Sequence, residues 1–134
     1  MPSPDLCTDE EIARLVNAFY AKVRHDEALG PIFKEHVADW EHHLENLVDF
    51  WSSILRGTRR FTGTPMPKHA ALPGLTVELF QRWLALFLET TSAQPNQRMG
   101  EQAYAMAQRI ARSLWLGYQL NRNPDRLPAD IPDA

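Results

Sequence analysis

The chain is poor in cysteine. Cys7 is the only one in 134 residues, so no disulfide can close within it, and a reducing, cytoplasmic setting is the expectation. No catalytic signature surrounds Cys7, which reads as a spectator thiol. Positive charge is scarce too: 14 Lys and Arg against 17 Asp and Glu give a formal charge of −3. A phosphate-backbone binder carries the opposite surplus to displace counterions, so nucleic acid is excluded as an expected partner. No window approaches the ~18 consecutive apolar residues of a membrane span, and MPSPDLCTDEE at the N-terminus has neither the basic segment nor the apolar run of a signal peptide. The expectation is a soluble protein with no membrane partner. There is no internal repeat, no strand-like alternation of useful length and no glycine-rich nucleotide fingerprint. What is present is 44% apolar side chains and four tryptophans, enough for one domain with a sizeable core and too little for two.

Apolar spacing divides the chain into four substantial helices, an all-α class. The first opens at Thr8-x-x-Glu11, a capping box, with Asp9 and Glu10 at the positive end of the helix dipole. Ile12, Leu15, Val16, Phe19, Tyr20 and Val23 come next at helical spacing, placing Tyr20 on the buried stripe. Gly30 and Pro31 are expected to end this unit, with Pro31-Ile32-Phe33 as a tight corner or single short turn. Asp39 is a good N-cap for a second helix, whose Trp40, Leu44, Leu47, Val48, Trp51, Ile54 and Leu55 form a wide apolar face ending near Gly57. Thr76 caps a third, striped by Leu79, Phe80, Trp83, Leu84, Phe87 and Leu88. The fourth runs from about Asn96 to about Leu120, with Met99, Ala103, Met106, Ala107, Ile110, Leu114 and Tyr118 inward and Arg98, Arg109 and Arg112 outward. Residues 1–120 are read as the domain and 121–134, with three prolines, as a flexible tail.

Function must come from inward polar groups. Of the adjacent pair on the second helix, His43 shares a face with Trp40, Leu47, Phe50 and Ile54, whereas His42 sits with Glu45, Asn46 and Asp49. Spacing alone leaves His43 either a half-solvated boundary residue or a pocket group. His25 and His36 look like surface residues. Tyr20 and Trp83 each bring one hydrogen-bonding group into an apolar interior; they are either satisfied core aromatics or donors to something held there. Between Gly57 and Pro73 lies GTRRFTGTPMPKHAALP, in which prolines flank a lone His69 followed by Ala70, Ala71 and Leu72. A histidine with so little freedom and one apolar side suits an axial ligand to a buried flat cofactor, because haem iron needs a single strong protein ligand where zinc wants three or four. Spacing also admits a His69 that merely caps the short segment.

Taken together, these residues resemble a known family, the group III truncated haemoglobins, small bacterial globins with a two-over-two helical sandwich enclosing haem. The likeness runs from about Thr8 to Tyr118. FYAKVRHDEALGPIF looks like that family's B helix and corner, WEHHLENLVDFW like its E helix, GTPMPKHAAL like the segment bearing the proximal histidine, and LFQRWLALF like its G helix. The resemblance implies haem b with His69 as the iron ligand, Phe33 packed on the porphyrin, and Tyr20, His43 and Trp83 as the distal polar set. It makes Leu47, Phe50, Trp51 and Leu72 pocket lining. Lys68 and Arg59 or Arg60 are candidates for pairing with the haem propionates. The Gly-Gly hinges of other truncated globin groups are absent, and the link from Phe33 to Trp40 is short, so His43 either faces a bound ligand or swings out as a gate.

The expected function is reversible binding of O2 and other diatomic ligands (NO, CO). Redox or detoxifying chemistry on nitric oxide or peroxide fits better than bulk O2 transport, because two donors beside a partly charged oxygen slow its release. Turnover would need a separate reductase; a monomer or weak dimer is expected. Two rivals stand beside this reading. A non-haem di-iron bundle wants two Glu-x-x-His elements, and Asp39-x-x-His42 is the nearest sequence here, without a second copy. A cofactor-free helical interaction module would use the aromatic stripes simply as core.

Overall fold

The computed structural model describes residues 3–58 and 75–122, with the isolated positions 125, 127 and 131. Among the described residues there are five helices and no strand. The first, α1 (Asp9–His25), starts at the Thr8 capping box: the Thr8 amide donates to Glu11 Oε1 at 2.9 Å and the Glu11 amide donates to Thr8 Oγ1 at 3.2 Å. Two of the amides that every helix start leaves unpaired are thereby satisfied, and the acidic first turn and basic last turn complement the dipole. Ile12, Leu15, Val16, Phe19, Tyr20 and Val23 are all buried, as their spacing predicts.

The corner differs from expectation. Helix α1 stops at His25, and the next element is an eight-residue helix, α2 (Leu29–His36), rather than a single turn. Asp26 makes the break: its backbone is extended, while its Oδ2 accepts the amides of Ala28 and Leu29 at 3.0 and 2.9 Å. Gly30 and Pro31 therefore lie in the first turn of a helix instead of ending one. Proline costs little there, since its missing N–H is one that no i−4 carbonyl would receive. Gly30 is needed for closeness: a Cβ on it would stand 2.8 Å from the Arg24 carbonyl oxygen.

Asp39 caps α3 (Trp40–Arg56) by accepting the His42 amide at 3.2 Å, and Gly57, at φ 72°, ends it in the left-handed conformation that glycine adopts without strain. Thr76 caps α4 (Val77–Ser92) through the Leu79 amide. A connection of four residues, 93–96, leads into α5 (Gln97–Arg122), which runs two residues beyond the expected end. Asn96 fastens that start by accepting the Met99 amide at 3.1 Å and donating to the Leu6 carbonyl at 2.9 Å.

Helix α1 is the hub, packing on α2, α3 and α4, while α4 pairs with α5. Phe19, Phe87, Leu15, Leu55 and Met99 are among the largest fully buried side chains, each contributing roughly 1.5–3 kcal/mol of burial. Two carboxylates fasten the ends of α1 to its neighbours. Asp9 takes Arg56 Nη1 at 2.8 Å together with the fully buried Ser52 hydroxyl, and Asp26 takes Arg82. A second cluster of Phe80, Ala111 and Leu114 joins α4 to α5, with Leu75, Trp115 and Ile131 packed against it. Arg98, Arg109 and Arg112 face outward. No helix among the described residues is long and apolar enough to cross a membrane.

Candidate functional site

Tyr20 stands where four elements meet. Its ring touches Phe19 beside it on α1 (centroids 4.8 Å apart), Phe33 of α2 (5.9 Å), Trp40 and His43 of α3 (6.2 and 6.1 Å), and its hydroxyl meets Trp83 of α4. Burial among these rings pushes the phenol above its ordinary range, because a phenolate would be poorly solvated there; the hydrogen bond from Trp83 acts in the opposite direction and is outweighed. An indole nitrogen can only donate, so Trp83 gives its N–H to the phenol oxygen. The phenol's own proton is left to give, and among the described residues no acceptor takes it.

His43 is brought to this point by the cap at Asp39. With α3 starting at Trp40, residues 40 and 43 fall on one face, and both rings turn toward Tyr20. The imidazole stands edge-on to Tyr20 and to Trp40 (centroids 5.5 Å), with Nε2 shielded from solvent. His42 is exposed, and so is His25, whose Nδ1 lies 2.8 Å from its own helix's Ala21 carbonyl.

Trp83 is fixed by stacking. Its ring lies 5.5 Å from Phe87 at 7°, and Phe87 lies 5.2 Å from Trp51 at 19°, so three aromatic rings form a column from α4 into α3. Phe19 presents its edge to both Trp83 and Phe87. Trp51 is thereby buried within the core, while Phe50, 5.8 Å away, and Leu47 are half-buried against it. The structure thus brings Tyr20, Phe33, His43 and Trp83 together and sets Trp51 further back behind Phe87. The expected ligand His69, together with Arg59, Arg60, Lys68 and Leu72, lies outside the described residues.

Two contributors are not evident from sequence. Spacing assigns Trp40 only to an apolar face, yet it contacts Tyr20, Phe33 and His43 at once. Arg24 lies over its outer side, the guanidinium carbon 4.6 Å from the ring centroid, a cation–π contact that holds the indole in place. The available signal is the i, i+3 relation of Trp40 to His43.

Chemically, the cluster is a neutral donor in an aromatic shell. It can give a hydrogen bond to a small, partly negative acceptor, and among the described residues its own contacts are rings. Comparison with known proteins bears on which acceptor. A family model described as bacterial-like globin matches residues 5–114. A group 3 truncated haemoglobin of Campylobacter jejuni is 38% identical over 106 residues, spanning 76% of this chain and 84% of that protein. The crystal structure of a group III truncated haemoglobin from Campylobacter jejuni superposes with a TM-score of 0.75 at 36% identity, covering 81% of this chain and 88% of that one.

Proposed function

The chain belongs to the bacterial-like globin family, as a group III truncated haemoglobin, and on that premise we propose that it binds haem b and holds O2, NO or CO beside Tyr20, for redox or detoxifying chemistry rather than bulk O2 carriage. The single observation carrying the ligand site is the buried Tyr20 hydroxyl, which accepts from Trp83 and keeps its own proton to donate. The donor set fits haem: aromatic rings from α1 to α4 wall the phenol, His43 Nε2 is shielded beside it, and among the described residues no charged group acts on the phenol. His69 would ligate the iron. Phe33, Leu47, Phe50, Trp51 and Leu72 would supply apolar packing, and Lys68 with Arg59 or Arg60 would pair with the propionates.

Haem, when bound, supplies an iron that takes one diatomic ligand and shifts electron density onto it. Tyr20 donates a hydrogen bond to that ligand. Trp83 acts behind it, orienting the phenol and polarising its O–H, since hydrogen bonds in series strengthen one another. His43 stands on the second side of Tyr20, with Trp40 and Arg24 closing the surface outside it. A donor to such a partly charged acceptor contributes roughly 1.5–3 kcal/mol. Release slowed by that amount suits a protein that keeps O2 for reaction with nitric oxide, or works on peroxide, and suits a carrier poorly. Electrons would come from a separate reductase acting on a monomer or weak dimer.

The test is an absorption spectrum of the purified protein, ferric and then reduced under carbon monoxide. A strong Soret band that moves on reduction and CO binding is expected, with His69→Ala losing or severely weakening haem retention. A chain that stays colourless after hemin is offered would end this reading.

A further inference from the structure

One carboxylate holds the two elements that flank Tyr20. We propose that Asp26 is a positioning residue for the Tyr20 site: it seats α2 and α4 against the end of α1, so that Phe33 and Trp83 keep their places on either side of the phenol. The inference rests on the haem-site reading above and concerns how the donor is aimed.

Asp26 comes directly after α1. Its Oδ2 accepts the Ala28 and Leu29 amides, and its backbone carbonyl accepts the Gly30 amide at 2.9 Å. Both carboxylate oxygens also receive Arg82 Nε of α4, at 2.7 Å each. The Asp26 side chain is 7% exposed against 46% for Arg82, so the acid is the buried centre of the arrangement and the arginine reaches in from the surface. The Arg82 bond, charge-assisted and short, is the main cause holding the carboxyl below its usual range.

Each partner sits beside a residue of the site. Phe33 is one helical turn beyond Leu29, whose amide the carboxylate holds; it packs on Tyr20 at 5.9 Å and on Trp40 at 6.2 Å. A helix of eight residues is too short to persist by propensity alone, so its start must be fixed from outside. Trp83 is next to Arg82 in the chain: the arginine reaches the end of α1 and the tryptophan reaches the Tyr20 hydroxyl. Rotation of α4 about its axis would move both contacts together. Phe87 and Trp51 resist tilting of the Trp83 plane, whereas sliding of α4 along α1 is opposed by the Asp26 to Arg82 pair.

The test uses haem-loaded protein and two variants that separate the functions of the carboxylate. Arg82→Gln removes the charge from a half-exposed side chain. Asp26→Asn keeps an oxygen for the α2 amides while losing the ion pair. The C–O stretching band of the ferrous CO complex reports the donor's aim, and O2 release reports its effect. Both variants should shift the band in the direction Tyr20→Phe shifts it and speed O2 release about threefold, the double variant doing no more than the larger single one, as for residues acting through one contact. Arg82→Lys should recover part of both readouts. Parent-like band and rate in Arg82→Gln and Asp26→Asn, while Tyr20→Phe moves both, would overturn the inference and leave Asp26 a structural cap. Should Tyr20→Phe itself move neither, the haem-site reading fails and takes this inference with it.

Discussion

Replacing Tyr20 by phenylalanine removes one buried oxygen atom and leaves the ring among Phe19, Phe33, Trp40 and His43. The change causes two separate losses. In the protein itself, the Trp83 indole N–H loses its acceptor, and Phe19 and Phe87, the rings packed on it among the described residues, offer no replacement; an orphaned donor of this kind costs about 1–3 kcal/mol. At the ligand, a donor to a partly charged acceptor disappears, worth roughly 1.5–3 kcal/mol, which corresponds to release faster by about tenfold to about 150-fold. The first loss is read by urea unfolding and the second by stopped-flow displacement of O2 with excess CO. Trp83→Phe provides the contrast: the phenol keeps its proton but loses its orienting partner, so release should quicken by less than in Tyr20→Phe. An O2 release rate equal to the parent's in both variants would refute the assignment of Tyr20 as donor, whatever their stability.

Truncating Phe87, 1% exposed and stacked between Trp51 and Trp83, should cost about 3–5 kcal/mol in urea unfolding and also quicken O2 release, since Trp83 loses the ring that holds its plane. Thr8→Ala removes the Oγ1 that accepts the Glu11 amide, leaving the bond from the residue 8 amide to Glu11, and should cost about 1 kcal/mol with ligand kinetics unchanged, read as a lower Tm. Asp26, depressed chiefly by Arg82, contributes stability that is fully present above the ordinary carboxylate range and lost as pH falls through its folded-state value. Asp26→Asn should therefore flatten the fall in unfolding free energy below about pH 4, measured by urea titrations at stepped pH. Gly30→Ala would press a Cβ to 2.8 Å from the Arg24 carbonyl. The backbone cannot yield as a side chain would, so α2 should shift, costing about 1–3 kcal/mol despite alanine's better helix propensity; a Tm at or above the parent's would show that α2 is not seated by this contact.

Much of the architecture is legible in the sequence because caps and stripes are local. Thr8, Asp39 and Thr76 each start a helix as their residue type predicts, and all six apolar positions assigned to α1 are buried. The difference at Gly30 and Pro31 also has a local cause. Both residues break a helix interior yet are tolerated in a first turn, and nothing nearby in the sequence shows that Asp26 has already ended α1 and begun the next helix. Ser52 is invisible for another reason: a small polar residue on an apolar face looks like a surface position unless its partners, Asp9 and Thr58, are known. The contact from Asp26 to Arg82 spans 56 positions, and no periodicity links them. Spacing places Tyr20, His43 and Trp83 on inward faces, but only packing determines which faces meet. The residues expected to hold the iron from the other side lie outside those described.

That Trp83 meets Tyr20 directly changes what the pair can do. Two parallel donors would each be satisfied by the ligand alone and could turn away independently when it leaves. A series of donors has a fixed direction, because an indole cannot accept and the phenol oxygen is already receiving its proton. The phenol's own hydrogen is then turned away from Trp83 whether or not a ligand is there, so on the proposed reading little reorganisation would be needed on binding. Burial pushes the phenol above its ordinary range, so the donor keeps its proton at neutral pH. Ligands that gain negative charge on binding would benefit from such a site, and carbon monoxide, which gains little, would benefit least. The ratio of O2 to CO affinity should accordingly fall in Tyr20→Phe, and fall less in Trp83→Phe. If both variants lower the two affinities equally, the donor series discriminates nothing and the aromatic shell alone sets ligand binding.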